Sequence, residues 1–240
     1  MKVNEELCIG CQKCIPFCPL GAIYIQRQKA VIDQDACVEC GICVRQIPCP
    51  RKAFYEPEEV SQWPRSVRKV FGDPTEKHEN TGVRGRGTEE VKTNDVTGRV
   101  KRRQVGFALE FGRPAVGCQI KEVEVVTVPL AERGIKLETC NPLTSLLDPT
   151  TGLVHEDVRE ERILSAIVEF TIPEERFEEI TALVYQAAQK CKNTVFSWGL
   201  TVRYEEDGTI PVVACLEKMG IHIPKNAKVN VGLGRPLTNL

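Results

Sequence analysis

The sequence predicts an α+β chain in two parts, a small cysteine-rich module followed by a β-α-β-β-α-β sandwich. Three observations carry this. Eight of the twelve cysteines fall between residues 8 and 49, that stretch reads as two similar halves, and beyond residue 104 the apolar pattern alternates between strand and helix periods.

A chain of 240 residues with 42% hydrophobic residues has room for one large or two modest domains around a real core. Its formal charge of −1 gives no global electrostatic case for nucleic-acid or membrane-surface binding. No apolar run reaches the roughly 18 residues of a spanning helix, and MKVNEELCIG lacks the apolar core of a signal peptide, so a cytoplasmic protein without a membrane span is expected. Cysteines so clustered in such a chain point to metal rather than disulfides.

The first element, residues 1–56, contains ELCIGCQKCIPFCPLGAIYI and its echo DACVECGICVRQIPCPRKAFYE, with Cys8 and Cys37 offset by 29 residues. Cys8, Cys11, Cys14 and Cys18-Pro19 form the run CxxCxxCxxxCP, whose thiolates at this spacing suit an iron-sulfur cubane. In the second half Cys37, Cys40 and Cys43 keep the two-residue spacing, but five residues separate Cys43 from Cys49-Pro50. Tetrahedral zinc on the same thiols is the competing reading, although structural zinc sites pair two CxxC hooks rather than two triplets each followed by Cys-Pro. Loss of one fourth ligand would leave a three-iron centre.

These residues resemble the two-cluster bacterial ferredoxins, over roughly the first quarter of the chain. The resemblance implies a two-cluster bacterial ferredoxin domain with two [4Fe-4S] clusters. One would take Cys8, Cys11, Cys14 and Cys49, the other Cys37, Cys40, Cys43 and Cys18. The longer spacing is a departure that a bulging loop from Val44 to Pro48 can absorb, with Gln46 and Ile47 placed to change solvent access or hydrogen bonding at a cluster.

Residues 57–103 hold Pro57, Pro64 and Pro74, many charges and no sustained periodicity, which predicts an extended connector. Its end, GVRGRGTEEVKTNDVTGRVKRR, carries seven Lys or Arg against three acidic residues, and Arg84, Arg86 and Arg99 beside glycines could approach a phosphate. A solvated linker or a surface for an acidic partner competes with that reading. RGRGTEEVKTNDVTGR, followed by VGFALEFGRP, is similar to the segment after the ferredoxin domain in 6-hydroxynicotinate reductase and related anaerobic proteins. That resemblance implies electron delivery to a reductase module acting on a ring or an activated substrate.

In RQVGFALEF, Val105, Phe107, Leu109 and Phe111 alternate as in a strand with one buried face. Over 114–133, Val116, Ile120, Val123, Val126 and Leu130 recur at helical spacing, and Gly134 fits the stop. IKLETC begins a short strand, and ILSAIVEFTI places Leu164, Ala166, Val168 and Phe170 on one strand face. Pro173 with Glu174 and Glu175 opens an amphipathic helix through Phe177, Ile180, Leu183, Val184, Ala187 and Ala188, and TVFSWGLTVRYEEDG supplies a last strand. This order over 104–205 is that of a ferredoxin-like α/β sandwich, with 206–240 as a tail that packs or reaches a partner.

Cys118, Cys140, Cys191 and Cys215 share no ligand spacing and read as scattered thiols, Cys140 standing out at a strand end before a loop. His78, His155 and His222 form no metal motif, and no nucleophile motif or triad is present. The expected function is therefore electron transfer, as one subunit of an oxidoreductase complex rather than a complete enzyme. A low-potential donor or acceptor and a separate oxidoreductase subunit would complete a hetero-oligomer. Two other classes compete: a redox- or metabolite-sensing regulator with an ACT-like module, and a sulfur- or cluster-handling protein using Cys140.

Overall fold

The computed structural model describes residues 1–79, 82, 98–113 and 116–223. Arg84 and Arg86 of the basic segment lie outside the described residues, as does the tail beyond residue 223.

The cysteine-rich module is built from strand β1 (Lys2–Val3), the hairpin β2 (Ile23–Gln26) and β3 (Lys29–Ile32), the single-turn helix α1 (Ile42–Arg45) and strand β4 (Phe54–Tyr55). β1 pairs with β4, and β2 with β3 from Ile23↔Ile32 to Gln26↔Lys29, both antiparallel. The two-residue turn Arg27-Gln28 has φ of 47° and 62°, the left-handed pair that matches the twist of a tight hairpin.

The sequence repeat is a structural one. Asn4 Oδ1 accepts the amides of Glu6 and Leu7, and Asp33 Oδ1, 29 positions on, accepts those of Asp35 and Ala36. The Asn4 amide bonds Ala53 O and the Asp33 amide bonds Ala22 O, each at 2.8 Å, so each half opens on a side-chain-closed turn anchored to the end of the other.

The connector is not extended throughout. After a 3-10 turn at Glu58–Ser61 the chain forms helix α2 (Ser66–Gly72), whose Val67 and Phe71 are buried and whose Val70 packs beside them in the core of the second module. Those three positions are the whole apolar stripe of a two-turn helix, too few to read as periodicity among so many charges.

The second module follows with β5 (Gln104–Phe111), β6 (Cys118–Gln119), α3 (Glu124–Glu132), β7 (Arg162–Ile163), β8 (Ala166–Pro173), α4 (Phe177–Lys190), β9 (Phe196–Thr201) and α5 (Pro211–Lys218). β8, β5 and β9 form an antiparallel sheet in that order. Alternation puts Val105, Phe107, Leu109 and Phe111 of β5 on one buried face with Val168, Phe170 and Ile172 of β8. Phe107 stacks on Phe170 at 4.8 Å between ring centroids, and Phe177, Ile180 and Val184 of α4 complete the layer.

Two elements differ from expectation. The helix expected over 114–133 is preceded by β6 and a 3-10 turn, where Gln119 and Glu122 form a reciprocal capping box. IKLETC forms a single antiparallel bridge, Leu137↔Phe170, at the β8 edge instead of a strand. The chain turns at once, because the Asn141 side chain donates to Ile167 O at 3.0 Å and Glu169 Oε2 at 2.8 Å. At the other end α5, inside the expected tail, seats Val212 and Leu216 in the same core.

Candidate metal centre

The eight clustered cysteines line two hollows. The first, about 340 Å³ with its mouth included, is lined by Cys8, Cys11, Cys14 and Cys49, with Ile9, Ile47 and Ala30 among its apolar walls. The second, about 370 Å³, is lined by Cys18, Cys37, Cys40 and Cys43, with Met1, Leu20 and Ile32 among its walls. Each hollow thus draws three cysteines from one half and the Cys-Pro cysteine from the other. The two extra residues after Cys43 are absorbed locally: Gln46 N bonds Ile42 O at 2.8 Å to continue α1, and Ile47 faces the first hollow.

Backbone amides point at the sulfurs. Ala22 N donates to Cys18 Sγ at 3.2 Å, Ala30 N to Cys8 Sγ at 3.3 Å and Ala53 N to Cys49 Sγ at 3.4 Å. Such bonds stabilise negative sulfur, so they suit thiolate ligands and set cluster potential. Burial pushes the Cys14, Cys37 and Cys40 thiols up and pushes Cys43 up to about 12, with the neighbouring Cys37 and Cys40 adding to the last. A buried thiolate needs compensating positive charge, which bound iron would supply.

Four thiols per hollow, apolar walls and amide donors are the donor chemistry of an iron-sulfur cluster. Zinc would need its sulfurs about 2.3 Å from one point. Among the described residues no three His, Cys, Asp or Glu side chains are grouped to hold a single metal ion.

The surroundings of the two hollows differ. Around the first, Cys11 is exposed, Ile9 is 61% exposed, and Lys29 Nζ donates to Cys8 O at 2.5 Å. Gly10, at φ 65°, lies so close to the hairpin turn that a Cβ would sit 2.2 Å from Gln28 O. The loop around the second hollow is gripped from outside. Arg68, 6% exposed, donates to Gln34 O and Cys37 O at 2.8 Å each and pairs with Glu161. Arg65 Nε donates to Glu39 Oε1 at 2.8 Å, and Glu39, fully buried inside the CxxC hook, also pairs with the Met1 amino group. Arg45 bridges Cys40 O at 2.8 Å and Asp73 at 2.7 Å. At the end of α2 a Cβ on Gly72 would lie 2.5 Å from Val38 O.

Sequence reasoning missed these arginines and Glu39. A carboxylate inside a cysteine hook was the available signal, since a charge that close to a buried centre needs a partner.

The remaining candidates do not converge. Cys140 is exposed, with its amide donating to Glu138 Oε1 at 3.2 Å. Burial pushes the Cys118 thiol up to about 12 and raises Cys191 and Cys215. His78 is lowered by burial, and Arg99 pairs with Glu138 at 3.1 Å.

The 4Fe-4S binding domain family matches residues 1–24. A "Ferredoxin 7Fe" of Hydrogenibacillus schlegelii is 33% identical over 70 residues, covering 28% of this chain and 87% of that protein. Through its N-terminal domain the chain belongs to the ferredoxins. Two larger proteins match this chain in part. One subunit of the ion-translocating oxidoreductase complex of Methanosarcina acetivorans is 52% identical over 52 residues, 22% of this chain and 19% of that protein. One subunit of the H(2):CoB-CoM heterodisulfide,ferredoxin reductase of Methanothermobacter marburgensis is 34% identical over 102 residues, 32% of this chain and 15% of that protein. The chain therefore spans less than a fifth of either of these larger proteins. No solved structure matches it. The N-terminal ferredoxin domain is an iron-sulfur electron-transfer unit of the 4Fe-4S binding type. Among the described residues no helix is long and apolar enough to cross a membrane.

Proposed function

We propose that this ferredoxin carries two [4Fe-4S] clusters and relays low-potential electrons as one subunit of a cytoplasmic oxidoreductase complex. One cluster is assigned to Cys8, Cys11, Cys14 and Cys49, the other to Cys37, Cys40, Cys43 and Cys18. The observation that carries this reading is the pair of four-cysteine hollows with amides aimed at the sulfurs. When bound, a cluster accepts and returns single electrons. The chain's own residues hold the sulfurs, donate hydrogen bonds that favour the reduced, more negative state, and keep water from the apolar walls.

The second module is read as a ferredoxin-like sandwich that docks the partner subunit. The sheet order and the Leu137↔Phe170 bridge at its edge support this reading, with IKLETC as a reduced fourth strand. The resemblance of RGRGTEEVKTNDVTGR (84–99) and VGFALEFGRP (105–114) to 6-hydroxynicotinate reductase and related anaerobic proteins would make the partner one that reduces a ring or an activated substrate.

Anaerobic native purification tests the proposal. The expected product holds about eight iron and eight sulfide per chain, gives an EPR signal of interacting reduced clusters, and co-purifies with a larger partner protein. Bound zinc without sulfide, or no reducible centre, overturns the cluster assignment. A solitary chain that exchanges electrons with no low-potential donor overturns the relay.

A further inference from the structure

The three loops around the first hollow share an unusual charge. Residues 8–14, 26–30 and 46–54 contain Lys13, Arg27, Lys29, Arg51 and Lys52 and no Asp or Glu. The structure gathers them: Ala30 N and Lys29 Nζ bond Cys8, Gly10 abuts Gln28 O, and Lys52 N bonds Cys49 O at 3.1 Å. All but the half-buried Lys29 are exposed, and among the described residues none of the five makes an ion pair. The nearest acids along the chain flank these loops from outside: the exposed Glu5 and Glu6 before the first, Asp33 after the second, and Glu56, which pairs with Lys69, after the third. The loop of the second hollow instead carries Asp33, Asp35 and Glu39 and is covered by α2.

Four exposed cations without an ion pair, beside an exposed cysteine and an exposed Ile9, cost solvation at any apolar or basic interface and gain at an acidic one, with the half-buried Lys29 adding its charge from behind. We propose that the mouth of the first hollow is the docking face for a small electron-carrier protein whose surface around its own redox centre is rich in carboxylates. The inference rests on the cluster assignment above. The basic rim steers the carrier, Ile9 supplies the dry centre of the contact, and Cys11 is the ligand nearest the carrier. One electron leaves the reduced carrier and enters the cluster, with no bond made or broken.

The test is stopped-flow reduction of the iron-loaded full chain by a chemically reduced, acidic two-cluster ferredoxin, with a reduced zwitterionic viologen as a small probe. The variant is R27E/R51E, at two positions that do not line the hollow. With the acidic ferredoxin the second-order rate is expected to fall about tenfold or more at low salt and to lose most of its salt dependence. The viologen rate and the iron content are expected to stay unchanged. An unchanged ferredoxin rate, or a wild-type rate that rises with salt, overturns the docking face while leaving the cluster assignment standing. Failure of the wild-type chain to take electrons from either reductant overturns the cluster assignment itself. Should R27E/R51E lose iron, R27Q/R51Q is read by the same criteria, with about half the effect expected because the charge change is halved.

Discussion

Cysteines divide by environment into those that face the two hollows and those that do not, and chemistry can count them. In the iron-loaded protein, iodoacetamide is expected to label Cys140 first because it is exposed, then the half-buried Cys191 and Cys215. Cys118 should resist at neutral pH, since a thiol pushed up to about 12 is protonated there and only the thiolate attacks. Its labelling should keep rising with pH beyond the point where an ordinary cysteine, near about 8.5, has levelled off. The eight hollow-lining cysteines should label only once iron is removed. Peptide mass mapping reads this directly, and fewer than eight newly labelled sites would break the two-quartet assignment. A second residue-scale outcome concerns Gly72. Alanine there gains up to about 1 kcal/mol of helix propensity, but its Cβ falls 2.5 Å from Val38 O, a backbone atom that cannot step aside cheaply. Overpacking of this kind costs about 1–3 kcal/mol. Gly72→Ala is therefore expected to lower the melting temperature; a rise would show that the hook yields.

At the scale of elements, α2 holds the two modules together through Arg68, which faces Gln34 and Cys37 on one side and Glu161 on the other. Arg68→Ala leaves Glu161 and the Cys37 carbonyl without their donor, and breaking a buried pair in this way costs about 3–5 kcal/mol. Arg68→Lys should recover little, since one ammonium cannot span both sides of the fork; denaturant unfolding of both variants checks this. The end of α2 adds a pH-dependent link. Burial alone would raise the Asp73 carboxyl, but hydrogen bonds from Arg45 and Thr75 outweigh it and hold it below the usual range. A lowered carboxyl stabilises the fold above about pH 4, and that share is lost as pH falls through its folded value. Wild type should therefore lose more stability than Asp73→Asn on acidification below about pH 4. These links were illegible in the sequence because Arg65 and Arg68 meet partners 26 to 34 residues away or further, beyond any local spacing rule. Strands β5 and β8 and helix α4 were legible, because a buried face repeats along each. IKLETC was misjudged for the opposite reason: its strand pattern is real, but Asn141 turns the chain after one bridge. The cysteine quartets were legible only through the ferredoxin resemblance, since spacing alone gives two triplets and leaves the partners of Cys18 and Cys49 open.

For the molecule as a whole, the two hollows differ in what surrounds them. The first opens beside exposed Cys11 and Ile9, while the loop that carries Cys37 and Cys40 of the second is backed by α2, with Leu20 against Gly117 of the second module and Arg45, Arg65 and Arg68 holding that loop. On the proposed assignment, an electron from a soluble carrier enters at the first cluster and reaches the partner subunit through the second. Chemical attack should follow the same order. Ferricyanide added to the iron-loaded protein is expected to bleach the visible absorbance in two phases of comparable amplitude, the fast one from the site that holds the exposed Cys11. Arg68→Ala loosens only the cover of the second site, so it should quicken the slow phase and leave the fast phase as it was. One phase in wild type, or a variant that quickens both phases equally, would mean that α2 does not screen one cluster from solvent. The electron order inferred from that screening would then have no structural basis.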